Sequence, residues 1–419
     1  TGDEDTYAYN DAGEMSEVKM AKGSETLASV AYIRDKDGLV TKITDKGLPG
    51  EEALNYEYDA NNRLTEDAGK AYKYDKANNP TVEGAAEYKY DEGDAIEKGG
   101  TTNYSYNELG ERTKRTPEKG PATTYVYDQA GNLTGVERPE GEGKPKIEDT
   151  YAYNGDGLRA SQTINSTTSY LAWDTAESLP LILNDGTNSY IYGPGGLPVE
   201  QINSEGTLTY LHHDQQGSTR LLTNAVGENV GSATYDAYGN IVGKAGTVTT
   251  PLGYDAQYTD NDTGLIYLRA REYDPATGQF LSVDPKAEVT RTIYGYAQDN
   301  PLVDNDPTGE YAETNINEVR FARKFLHGIA RVNAQLAFEH GERVPIFEEL
   351  AEYAFYQGLY DVSTDTGLQR SYQIQFEKYK NLAEKHIFSA VAPLEELETA
   401  DSAEDIVKTL VSIARKWFG

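Results

Sequence analysis

The chain has 419 residues, 37% of them hydrophobic, no cysteine, and a formal net charge of −31. Without cysteine there is no disulfide framework, no thiolate nucleophile and no Cys-based zinc site. The charge argues against nucleic acid as a partner of the intact chain, because phosphate binding needs Lys and Arg. The length exceeds the ~150-residue norm for one domain, so several units are expected, unless a repeat array grows without enlarging a single core. No window approaches the ~18 apolar residues of a membrane span. The Asp- and Asn-rich turns lack the spacing of an EF-hand calcium loop and read as solvated turn carboxylates.

Of the 419 residues, 33 are tyrosine, and they fall into a pattern. Tyr-x-Tyr-Asp/Asn followed by a Gly- or Asn-containing turn begins at Tyr7, Tyr56, Tyr72, Tyr88, Tyr104, Tyr125 and Tyr151. From Tyr56 to Tyr104 the step is constant at 16 residues. Two tyrosines separated by one residue share a strand face, and the residue between them (Glu57, Lys73, Lys89, Ser105, Val126) points the other way. Asp then caps its own backbone while Gly or Asn accepts positive φ, so the strand turns back into a partner such as Arg63-Leu64-Thr65. One hairpin cannot stand alone, and side by side the copies make a long antiparallel sheet whose edge is best reduced by curling. The chain opens inside such a unit, Tyr7-Ala8-Tyr9-Asn10, and shows no signal peptide, which reads as the C-terminal piece of a longer array.

From Ser169 to Tyr238 the pattern loosens. Leu179-Pro180-Leu181-Ile182-Leu183 is a short apolar run, and Pro180 should sit at the start or edge of that strand because it cannot donate to a ladder. His212, His213 and Asp214 suggest a metal, but neighbours on a strand point to opposite faces, so a structural role is expected and no metal site is assigned.

The densest pattern runs from Leu252 to Gly309. It contains Gly264-Leu265-Ile266-Tyr267-Leu268-Arg269-Ala270-Arg271-Glu272-Tyr273-Asp274-Pro275, then Val283-Asp284-Pro285, Tyr294-Gly295-Tyr296, Asn300-Pro301 and Asp306-Pro307-Thr308-Gly309. This stretch, with the tyrosine repeats before it, resembles the core signature of the RHS/YD-repeat family, which includes bacterial polymorphic toxins, the C component of insecticidal toxin complexes and the teneurin shells of animals. The resemblance covers residues 1 to 310. It implies YD hairpins wrapped into a hollow spiral shell or barrel over 1–251, closed by a core-associated segment at 252–310. It also implies a secreted or cell-surface location, a secretion or delivery partner, an immunity protein for a C-terminal payload, and no cofactor.

In shell-forming relatives the signature is an aspartyl autoprotease that cuts just past the DPxG motif. By resemblance the two aspartates are Asp284 and Asp306, and the upstream arginine is Arg271. The cut would fall between Glu310 and Tyr311. Cleaving relatives carry Leu where this chain has Glu310, and a charge beside two carboxylates is expected to oppose binding there. The other reading is that Asp284 and Asp306 cap Pro turns and lock the end of the spiral, as in relatives that do not cut themselves. Asp304 is a further carboxylate close by.

Past Glu310 the pattern becomes helical. Phe321, Phe325, Leu326, Ile329, Val332 and Leu336 fall at three-to-four spacing. Further helices are expected at Ile346–Tyr356, Thr366–His386 and Ser402–Trp417, giving a small all-α domain over 311–419. This tail carries 12 Lys and Arg against 17 Asp and Glu, which does not suit a nuclease. His327, Glu339, His340 and His386 read as packing or surface residues. Two functions follow: a toxin shell carrying a helical effector, or a non-catalytic, teneurin-like surface or adhesion module.

Overall fold

The computed structural model describes residues 2–50, 53–139, 146–176, 179–193, 196–287, 292–310 and 313–314. They belong to the first of two units, Thr1–Asn315. The helices expected beyond Glu310 lie outside the described residues.

Among the described residues, seventeen strands from Asp3–Tyr9 to Thr167–Tyr170 form one antiparallel sheet, each paired with its neighbours in sequence. Eight more, from Ala172–Asp174 to Ile241–Gly246, make a second meander of the same kind. Pro180 stands just before the strand Leu181–Asn184, and its carbonyl accepts from Arg269 Nη2 at 2.7 Å.

One hairpin explains the rest. Asp59 Oδ1 accepts the main-chain N–H groups of Asn61 at 2.8 Å and Arg63 at 3.1 Å, while Asn62 takes φ 62°. The short carboxylate satisfies the turn's amides, and Asn tolerates the left-handed region. Asp75, Asp91, Asn107, Asp128 and Asn154 repeat the arrangement. The register slips by one residue just before the second tyrosine, at Glu57/Tyr58, Lys73/Tyr74, Ser105/Tyr106, Val126/Tyr127 and Ala152/Tyr153. Each bulge bends the strand and adds twist. Repeated along the strip, it supplies curl.

The residue five places after each turn Asp or Asn starts the return strand. Val40, Leu64, Ile96 and Leu133 occupy that position, and all are buried. Its carbonyl is also used. The second tyrosine of the following unit donates its hydroxyl to it: Tyr58 to Val40, Tyr74 to Leu64, Tyr90 to Pro80, Tyr127 to Arg112 and Tyr153 to Leu133, at 2.7–2.9 Å. Trp173 Nε1 does the same toward Arg159 at 2.8 Å. The tyrosine ring is thus apolar packing and its tip is a lock between hairpins. Glu57, Lys73, Lys89, Ser105 and Val126 are exposed on the other face.

The buried face turns toward residues 252–302. Tyr125, Leu133, Val136 and Tyr151 pack with Leu265 and Leu281. Leu171, Ile182 and Tyr190 pack with Leu252, Tyr258 and Tyr267. The strands from Met15 to Tyr72 meet Leu221, Tyr238 and Leu302. The segment's own side chains pack on this buried face. The segment has only short strands, Tyr258–Thr259, Ile266–Tyr267, Glu272–Asp274 and Gln279–Phe280. Its Pro-rich turns leave little room for longer ones, and it is held instead by an aromatic cluster in which Tyr273 stacks on Tyr296 with centroids 4.2 Å apart.

Candidate active site

Three of the short strands' neighbours converge at one end of this segment. Arg271 precedes Glu272–Asp274, Asp284 follows Gln279–Phe280, and Asp306 follows the strand Asp304–Asn305. The last pairs with Glu313–Thr314. Arg271 Nη2 lies 3.4 Å from Asp284 Oδ2 and 3.2 Å from Asp306 Oδ2. All three side chains are nearly fully buried, at 2–3% exposure. The two carboxylates, 22 positions apart in sequence, therefore face one guanidinium nitrogen.

The other oxygens hold main chain. Asp284 Oδ1 accepts the N–H of Lys286 at 2.7 Å. Asp306 Oδ1 accepts the N–H groups of Gly309 at 2.9 Å and Glu310 at 3.2 Å, and the Thr308 hydroxyl at 3.2 Å. Arg271 Nε donates to the Gly309 carbonyl, and its guanidinium lies 3.5 Å over the Phe280 ring. Burial pulls the Arg271 guanidinium below its usual range, and the charges of Asp306 and Asp284 act in the opposite direction. Gly309 takes φ +71°, and a Cβ there would lie 2.5 Å from the Leu268 carbonyl oxygen, so the motif's glycine is a steric requirement.

The Glu310 carboxylate meets Lys286 Nζ at 2.8 Å. Tyr311 lies outside the described residues. Asp304 pairs by main chain with Thr314 and is not among the Arg271 ion pairs. His212 Nδ1 and Nε2 contact Asp5 Oδ1 and Thr223 Oγ1, and the His213 nitrogens contact the Gly217 and Pro198 carbonyls. Both rings are buried, which a bulge between them permits. Burial lowers the His213 pKa.

Sequence reasoning missed the buried arginines that tie the strip to the segment. Arg159, fully buried, reaches Asp260 and Glu272 at 2.7 Å each, and lies over the rings of Tyr151 at 4.0 Å and Tyr267 at 4.4 Å. Arg112 reaches Asp274 at 2.7 Å; buried Arg220 instead joins the two meanders to each other, reaching Asp45 in the first and Asp214 in the second. Burial pushes Glu272 up to about 7, against the opposing pull of Arg159. Burial likewise pushes Asp299 up to about 8, with Arg63 acting the other way. The signal was available: Arg112 and Arg159 occupy the return-strand position that elsewhere holds Val40, Leu64 or Leu133.

A family model described as the teneurin YD-shell matches residues 4–116 and 183–302, and one for the RHS repeat matches 106–142. The tRNA nuclease WapA of Bacillus subtilis is 31% identical over 202 residues, covering 44% of this chain and 8% of that protein. Toxin protein Tse5 of Pseudomonas aeruginosa is 28% identical over 106 residues, covering 25% and 8%. The chain thus spans less than a tenth of the length of these relatives. Among solved structures, the Photorhabdus luminescens Tc holotoxin pore superposes with a TM-score of 0.61 at 17% identity, over 74% of this chain and 18% of that one. The TcdB2-TccC3 crystal structure gives 0.56 at 18% identity, over 73% and 18%. These two likenesses show the mainly β, antiparallel fold. With the shell model taking in more than half of its residues, the chain belongs to the teneurin YD-shell family of RHS-repeat proteins.

Proposed function

We propose that the chain is the C-terminal part of an RHS-repeat polymorphic toxin, and that Arg271, Asp284 and Asp306 form an aspartyl autoprotease that cuts between Glu310 and Tyr311 to release the 311–419 region as effector. One observation carries the reading: two buried carboxylates share the Arg271 nitrogen beside the Gly309–Glu310 peptide. An aspartyl pair works with one proton shared between its members, because two like charges forced together do not both ionise. One guanidinium facing two carboxylates leaves room for that proton at overall neutrality.

The step balances with water as co-reactant. The ionised carboxylate takes a proton from water, and the hydroxide oxygen bonds to the Glu310 carbonyl carbon. The protonated carboxyl gives its proton to the Tyr311 nitrogen as the C–N bond breaks, and the shared proton is restored. Arg271 and the Asp306-held amides keep the loop in place. Secretion through a delivery partner, and an immunity protein bound to the 311–419 region, belong to this reading.

The non-catalytic, teneurin-like module remains the second reading. It is favoured by Asp306 Oδ1, which accepts three donors as a turn cap would. Intact mass of the full chain separates the two. Autoproteolysis predicts two fragments split after Glu310, and one uncut chain in Asp284→Asn and Asp306→Asn. A parent chain that stays whole through prolonged incubation sinks it.

A further inference from the structure

The charge at position 310 has a counterpart. Glu310 Oε2 meets Lys286 Nζ at 2.8 Å, with the two side chains 37% and 26% exposed. The pair is not an isolated surface contact. Lys286 is the residue whose main-chain N–H goes to Asp284 Oδ1, at 2.7 Å. Glu310 is the residue whose N–H goes to Asp306 Oδ1, at 3.2 Å. The outer oxygens, Oδ2 of each aspartate, meet on Arg271. A closed circuit results: Arg271 ties the carboxylates on one side, and the Lys286–Glu310 pair ties the two carboxylate-held backbones on the other.

We infer that Lys286 is the specificity-determining and positioning residue for self-cleavage, seating a glutamate on the amino side of the cut bond. This rests on the self-cleavage reading above. Lys286 supplies the counter-charge that keeps the Glu310 carboxylate away from Asp284 and Asp306, and fixes the loop that carries the bond. A surface ion pair contributes little to stability, so its value lies in geometry, where small displacements of a reacting bond cost large factors in rate. Lys286 and Glu310 form a matched pair, in which an acidic side chain at 310 requires a cation at 286 and an apolar one does not.

The test is cell-free synthesis of the full chain, with intact mass read at timed intervals. Lys286→Met should slow cleavage on the order of 10- to 100-fold, and Lys286→Glu should slow it more. The charge swap Lys286→Glu with Glu310→Lys should recover most of the rate. Glu310→Leu should cut at a rate that no longer responds to Lys286→Met, a result that a merely structural lysine would not give. Parental rates in Lys286→Met and Lys286→Glu overturn the inference while leaving self-cleavage intact. Equal slowing by Lys286→Met in the Glu310 and Leu backgrounds also overturns it. A parent as whole as Asp284→Asn removes the self-cleavage reading and this inference with it.

Discussion

Replacing Arg159 with methionine tests how the strip is fastened to the segment it wraps. The arginine is fully buried between Asp260 and Glu272, 2.7 Å from each. Methionine keeps much of the stem but strands two buried carboxylates. Breaking a buried pair costs about 3–5 kcal/mol, and the lost stacking on Tyr151 and Tyr267 adds up to about 2 kcal/mol. For a unit of this size, that lowers the melting temperature by roughly 10 °C at neutral pH. The loss should depend on pH with a defined sign. Glu272 in the fold already titrates at about 7, above its ordinary 4.5. A carboxyl raised in the folded state favours folding below its unfolded pKa, and that contribution is lost as pH rises through the folded value. Without Arg159 the folded value rises further, so the variant should be closest to the parent near pH 5 and furthest near pH 8. Melting by circular dichroism across that range reads it. The combined Arg159→Met, Asp260→Asn, Glu272→Gln chain should recover stability because no uncompensated charge remains. A single variant that melts within about 2 °C of the parent at every pH would refute the claim that these charges anchor the fold.

Two further outcomes are expected. Asp299, pushed up to about 8 from 3.8 by burial, stabilises the fold fully below about pH 4 and loses that contribution as pH rises toward 8. At about 1.4 kcal/mol per unit this is a change of several kcal/mol, so Asp299→Asn should flatten the fall in melting temperature between pH 5 and 8; an unchanged slope would remove Asp299 as its source. Gly309→Ala places a Cβ 2.5 Å from the Leu268 oxygen and 2.9 Å from the Arg271 nitrogen, in a conformation costing about 1–3 kcal/mol. It should stop release of the 311–419 region in an intact-mass time course, whereas cleavage at the parental rate would show that the loop geometry is dispensable.

The sequence made the repeats legible because their rules are local. Asp59 caps amides two and four residues on, and the Tyr56 and Tyr58 pair sits on one strand, so spacing alone exposes them. The bulge before Tyr58 was hidden because it depends on how two strands pair. The site was legible only by resemblance: Asp284 and Asp306 meet through Arg271 because the segment folds back between them, and no periodicity connects positions 284 and 306. Lys286 was hidden for the same reason. Arg112 and Arg159 could have been found by asking why a charge occupies a position of leucines, since a buried cation at such a place demands a buried partner. Asp255 carried no such mark. Its strained φ of 50° and its bond from the Tyr296 hydroxyl at 2.5 Å appear only in the fold.

The tyrosine locks have a consequence for how such a chain can change length. Each lock joins neighbouring hairpins, and the bonded residues are 10, 15, 18 or 20 positions apart in sequence. The connecting loops can therefore swell or shrink while the fastening is kept, and a whole duplicated hairpin brings its own clasp with it. The arginine anchors do not have this freedom. Arg112 and Arg159 must meet fixed carboxylates of the 252–310 segment, and Arg220 must meet Asp45 and Asp214, so they set the register of the strip like teeth against a rack. Duplication between anchors would force the intervening strip to bulge outward, whereas duplication ahead of Asp45, the first strand residue to meet an anchor, would lengthen the strip and leave these arginine teeth engaged.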